Sequence, residues 1–146
     1  MLIEAALSIG LLGFMAMLLM RSSMNSLTGR NWTMVQNLTD AYLTYEVALA
    51  ERAPFDRITA NDSLWPVNPT RASSTVVVGR LPGGLNMSGT LYRTRVAYSN
   101  NLSATGGTGT TTTNPAGLET WKLECVLVYK VGNNTYKKMR TVLRTR

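Results

Sequence analysis

Residues 1–21, MLIEAALSIGLLGFMAMLLMR, carry one charge in their first twenty positions, Glu4, and decide the architecture. Twenty helical residues rise about 30 Å, which matches the hydrocarbon core of a bilayer. From Arg21 onward the chain reads as a polar, soluble protein. A secretory signal needs a positive first region and a small-x-small cleavage site. Here the run opens Met1-Leu2-Ile3-Glu4 and closes Leu18-Leu19-Met20-Arg21, which fits neither requirement. The segment is therefore expected to stay in the mature protein.

The helical pattern continues past Arg21. Met24, Leu27, Met34, Leu38, Ala41, Tyr45 and Ala48 recur at steps of three, four or seven, which predicts one apolar stripe. Arg30, Gln36, Asp40 and Glu46 fill the gaps. Gly29 weakens the middle by about 1 kcal/mol relative to alanine. The pattern stops at Ala53-Pro54, because proline disfavours a helical predecessor. One helix over residues 1–53, about 75–80 Å long, is the simplest reading. Its hydrophobic half is 1–23 and its amphipathic half 24–53. No small globule covers both halves of such a rod, so lipid or further copies must bury the first.

Residues 54–75 read as a loop, with Pro54, Pro66, Pro69 and the turn signal Asn61-Asp62-Ser63. Strands are expected at Thr75–Arg80, Thr90–Tyr98, Thr120–Val131 and Thr135–Arg144. In the third, Trp121, Leu123, Cys125, Leu127 and Tyr129 share a face. Gly132-Asn133-Asn134 signals a hairpin. In the fourth, Tyr136, Lys138, Arg140, Val142 and Arg144 alternate with Lys137, Met139, Thr141 and Leu143. Residues 103–117, SATGGTGTTTTNPAG, are too rich in glycine and threonine for a core and read as an exposed loop. The expected fold is α+β: the long N-terminal helix packed on a four-stranded antiparallel sheet (75–146), with a head domain spanning 24–146.

Composition narrows the chemistry. Histidine is absent, which removes the usual general base and the commonest metal ligand. The lone cysteine, Cys125, lies in an apolar run and reads as a small buried hydrophobe. Met15, Met17 and Met20 read as adaptable packing. No catalytic residue, metal ligand or cofactor is expected, and an enzyme is not. The net charge of +7, with its excess toward the C-terminus, allows an anionic partner. Arg93, Arg95, Lys137, Lys138, Arg140 and Arg144 are the candidate surface, with Trp121 or Tyr136 placed to stack on nucleic acid. The alternative is that these are solvated strand faces.

Leu2-Ile3-Glu4, the small and apolar run behind it, the amphipathic continuation and a small β head resemble the type IV pilins and the pseudopilins of type II secretion. The resemblance is specific over about the first 25 residues. It implies a basic leader removed by a prepilin peptidase, methylation of the new N-terminal amine, and residence in the inner membrane. An assembly machinery then builds a homopolymer, either a cell-surface filament or a periplasmic pseudopilus. The family's glutamate is the fifth mature residue; the same triplet here puts it at Glu4, and Gly13 is likewise one position early. Either the mature chain is one residue shorter or its first residue precedes this numbering. The family's proline near the end of the apolar run is replaced by Arg21-Ser22-Ser23, its disulfide loop is excluded by the single cysteine, and no calcium ligand cluster is evident after Asp62.

The resemblance gives Glu4 a role as partner of the Met1 amine of a neighbouring copy. An isolated carboxylate in hydrocarbon costs about 2.5–3.5 kcal/mol, so a cation at that depth selects staggered parallel helices. The alternative places Glu4 at the headgroup boundary. Gly10 and Gly13 would let helices approach closely, or serve as tolerated flexibility in an anchor. Six Asn-x-Ser/Thr sequons occur, of which Asn101 is the candidate acceptor, with Thr108, Thr110, Thr111, Thr112 and Thr113 as candidate O-glycan positions. A polymerising subunit, a pseudopilin, and a monomeric membrane-anchored binding domain are the competing functions.

Overall fold

The computed structural model describes residues 2–146, Leu2 by its backbone alone. The chain is α+β, a long N-terminal apolar helix and a four-stranded antiparallel sheet, compatible with a pilin-like fold. It divides into two compact units, Met1–Asn37 and Leu38–Arg146. This packing boundary differs from the compositional change near residue 23, because a polar helix segment need not touch the sheet.

Helix α1 runs Leu2–Arg52 and stops where Pro54 forbids continuation. In the first unit every described side chain from Ile3 to Met34 is exposed. Helix α2, Phe55–Thr59, lies within the stretch read as loop. Five residues are too few to show periodicity, which is why the sequence pattern misses it. Its one fully buried side chain, Ile58, anchors it in the core.

The second unit holds strands β1 (Ala72–Arg80), β2 (Asn86–Ala97), β3 (Thr120–Val131) and β4 (Asn134–Thr145), in the sheet order β1-β2-β3-β4. All three pairings are antiparallel, so the sheet is a meander. β3 has the predicted bounds; β1 and β2 begin three and four residues earlier than read, at Ala72 and Asn86. Serine and asparagine at those starts hide the strands from a propensity reading. The β3–β4 turn is two residues, Gly132-Asn133, with Val131 opposite Asn134. Gly132 has φ 59°, as the first central position of a type II′ hairpin requires.

Leu91, Leu123, Cys125, Leu127 and Tyr129 form the sheet's inner layer, closed by Trp65, Leu43, Ala50 and Ile58. The Trp65 indole N–H donates to the Cys125 sulfur at 3.4 Å. Burial pushes the Cys125 thiol pKa above its ordinary value, with the Trp65 bond opposing.

The buried side of α1 in this unit corrects the predicted stripe. Thr39, Leu43, Glu46 and Ala50 are buried, at steps of four, three and four. Ala41 is exposed and Tyr45 is 61% exposed. The inward face contains a threonine and a glutamate, so hydrophobicity alone points to the wrong side of the helix.

Candidate functional site

The first candidate is the apolar half of α1. It is long and apolar enough to cross a membrane, by length and composition. Ile3 is 78% exposed, and Leu7, Leu12, Phe14 and Leu19 are similarly open. Glu4 lies in the first turn and is exposed; the Ser8 hydroxyl donates to its backbone carbonyl at 2.8 Å. The Met1 amine lies outside the described residues. A shallow apolar notch runs along this surface, bounded by Ile3, Ala6, Leu7, Leu11 and Phe14 with Gly10 at its floor. A β-carbon at Gly10 meets nothing of its own chain. Gly13 is equally open but does not line the notch. Missing side chains on an otherwise bulky rod leave room for a packing partner's side chains.

The second candidate, the basic strands, is rearranged by the sheet register. Directly opposed residues of an antiparallel pair project to one face. Arg93 opposes Cys125 and Arg95 opposes Leu123. Lys138 opposes Leu127, Arg140 opposes Cys125 and Arg144 opposes Trp121. Five of the six predicted basic residues thus share the inner face, and only Lys137, opposite Val128, is on the outer one. The expected single anionic-partner surface is corrected accordingly.

Each inner cation meets a group of α1 or α2. Arg93 grips Glu46 in a two-pronged pair, Nε to Oε2 and Nη2 to Oε1, both at 2.8 Å. Glu46 is 0% exposed. The Glu46 bond and charge raise the Arg93 pKa further above its ordinary value, against burial. Lys138 Nζ reaches Asp40 at 2.8 Å, and Arg140 flanks the same carboxylate at 3.7 Å. Arg144 donates to the carbonyls of Ala50 at 3.1 Å and Ala53 at 3.0 Å, and to that of Glu51. These last carbonyls have no helical partner of their own, so a cation there satisfies them and the helix dipole together.

Burying a leucine contributes about 1.5–3 kcal/mol, whereas a buried ion pair roughly breaks even against an apolar pair. Leucines therefore stabilise the head, and Glu46–Arg93 fixes where along the sheet the helix sits. The sequence held one signal for this pairing: Arg93 alternates in phase with Leu91, marking an inward cation that needs an inward acid.

Arg95 is different. It is 5% exposed, and its Nη2 donates to the Thr59 carbonyl at 2.9 Å and Nη1 to that of Ala60 at 3.4 Å. Its guanidinium lies 5.1 Å from the Trp121 ring centroid. Among the described residues it has no ion pair, and its Nε has no hydrogen-bond partner. Burial lowers its pKa from the ordinary arginine value, with Glu119 opposing.

The loop at 103–117 has exposed side chains on an ordered frame. Asn101, 1% exposed, donates from Nδ2 to the Thr120 carbonyl at 2.8 Å and accepts the Thr120 N–H at 2.9 Å. That corrects its assignment as a glycan acceptor, since the nitrogen a glycan needs is buried and occupied. Asn114 does the same for Leu118, at 2.8 and 2.9 Å. Gly107 presses on the backbone of Asn101 so closely that a β-carbon would lie 2.0 Å from its carbonyl oxygen. Thr108, Thr110, Thr111, Thr112 and Thr113 are all exposed; Thr110 and Thr113 bond to each other and Thr108 to the Ser99 carbonyl. Sequence reading missed both clamps, because asparagine beside a Gly/Thr-rich stretch signals a turn, and nothing local marks the tie of Asn101 to a strand 19 residues away.

Among the described residues no three of His, Cys, Asp and Glu lie together as a metal site would need. Comparison with protein-family models, with curated proteins and with solved structures gave no match.

Proposed function

We propose that the chain is the structural, non-enzymatic subunit of a pilus-like helical filament. One observation carries the reading: every described side chain from Ile3 to Met34 is exposed, and residues 3–20 are almost wholly apolar. Such a surface is unfavourable in water by about 25 cal/mol for each Å² of apolar area, so it is covered by lipid and then by other copies. Before assembly the helix rests in the inner membrane. After assembly it lies in the filament centre, with the head outside.

Within that reading Glu4 sets the stagger by meeting the terminal amine of an adjacent copy. The Gly10 notch admits an apolar side chain from the same neighbour. The exposed Thr111 and Thr112 would face solvent on the filament exterior, where O-glycans have room. A simple membrane anchor does not need a helix that runs on through Arg52 into the head. This continuation favours a polymer over a monomeric anchored binder.

The test is microscopy of material sheared from cells that make this protein, with mass spectrometry of the purified fibres. Uniform filaments built of this chain, with a defined N-terminus, are expected. Recovery of the chain only as dispersed membrane protein, under conditions where other filaments are recovered, would reject the reading.

A further inference from the structure

We propose that the head carries a binding groove for a small carboxylate, with the Arg95 guanidinium as its anchor. The groove has a volume of about 530 Å³ and is lined by Val67, Asn68, Arg95, Thr105, Glu119 and Trp121, among others. That size falls in the range of sites that enclose small molecules, about 300–1,000 Å³.

Three observations point to the ligand. First, Arg95 is a buried cation whose guanidinium donates to neutral carbonyls, of Thr59 and Ala60. Carbonyls stabilise a guanidinium less than a carboxylate does, because they bring no full negative charge. The other inward arginine of β2, Arg93, shows the contrast: it has Glu46 at 2.8 Å. Second, Arg95 Nε is the one buried side-chain nitrogen or oxygen among the described residues without a hydrogen-bond partner. A buried donor left unmade is expensive, and the residue that carries it is part of the groove wall. Third, Trp121 holds the guanidinium plane from one side, with its ring centroid 5.1 Å from the central carbon. The indole N–H of Trp121 is itself fixed by Glu119 Oε1 at 2.5 Å. The cation is therefore oriented before any ligand arrives, which lowers the cost of binding.

A carboxylate supplies two acceptor oxygens in a plane, the shape a guanidinium edge takes. Val67, Ala97 and Ala104 add apolar wall for a short aliphatic tail. Glu119 is the opposing group in the lining and limits affinity.

The experiment uses the full chain in detergent micelles, labelled with nitrogen-15. Sodium acetate, sodium butyrate and sodium chloride are titrated at matched ionic strength while the Arg95 Nε–H and Trp121 indole signals are followed. The expected result is a saturable downfield shift of the Arg95 Nε–H with both carboxylates and none with chloride, butyrate binding more tightly. E119Q keeps an acceptor for Trp121 and removes the opposing charge, so it should strengthen binding at least about fivefold. R95K keeps the charge, loses the planar fork, and should abolish the Trp121 response. Equal shifts with chloride, or no shift in the unaltered chain, would overturn the proposal. So would full carboxylate binding by folded R95K. If R95K does not fold, the unaltered-chain titration still decides.

Discussion

Two stretches of the same helix behave in opposite ways. From Ile3 to Met34 α1 exposes every side chain, leucine and phenylalanine included. From Leu38 to Arg52 it buries Thr39, Leu43, Glu46 and Ala50 and exposes Tyr45. The apolar stretch is open and a partly polar face is closed. Hydrophobicity therefore does not say which part of this helix is covered by its own chain. What decides it is whether the chain supplies a complementary surface, and the sheet supplies one, with Arg93, Lys138 and Arg144 matched to Glu46, Asp40 and the last carbonyls. On the proposed function, the apolar stretch finds its complement elsewhere, in lipid or in copies of itself.

The contrast is broken most forcefully from the head side. Glu46→Ala leaves Arg93 as a half-buried cation facing apolar neighbours, and should destabilise the head by about 3–5 kcal/mol. Urea unfolding of the detergent-solubilised chain, followed by tryptophan fluorescence, measures it; a loss under 1 kcal/mol would mean the pair is not what seats the helix. On the other stretch, Leu11→Lys should leave that unfolding curve unchanged. It should cost about 2.5–3.5 kcal/mol in membrane insertion, read as a lower membrane-bound fraction in a glycosylation-mapping assay.

How much of this was legible differs between the two stretches as well. The apolar run, its lone Glu4 and the stop at Pro54 announce α1 without any tertiary knowledge. So does the alternation of Trp121, Leu123, Cys125, Leu127 and Tyr129, which places β3 to the residue. The phase of the buried helix face was not legible, because Glu46 is made an inward residue by Arg93, 47 positions away. Five of the six basic residues misled for the same reason. Charge on a strand reads as solvent-facing until the register sets Arg93 beside Cys125 and Lys138 beside Leu127. Asn101 and Arg95 were hidden at a further remove, since each is defined by a loop whose course no periodicity records.

Smaller effects sharpen the picture of the head. Asn101→Ala strands the Thr120 N–H and leaves its carbonyl with the Tyr98 N–H alone, and should cost about 1–3 kcal/mol. Amide exchange should then accelerate through residues 99–120 while the β3–β4 hairpin keeps its protection; uniform acceleration would show that the clamp is not local. At Cys125 desolvation raises the pKa, so the thiolate is scarcer in the folded head than in a free chain at the same pH. Alkylation by iodoacetamide at mildly alkaline pH should be slow until urea unfolds the head, and should then rise to the rate of a free thiol.

The central claim concerns the open stretch, and Glu4→Gln tests it most directly. The substitution keeps the side chain's size and one acceptor oxygen and removes its charge. Filament mass per cell, compared at equal subunit level, is expected to fall at least about tenfold, the equivalent of 1.4 kcal/mol, with head stability unchanged. Filaments of undiminished yield and identical subunit stagger would contradict it.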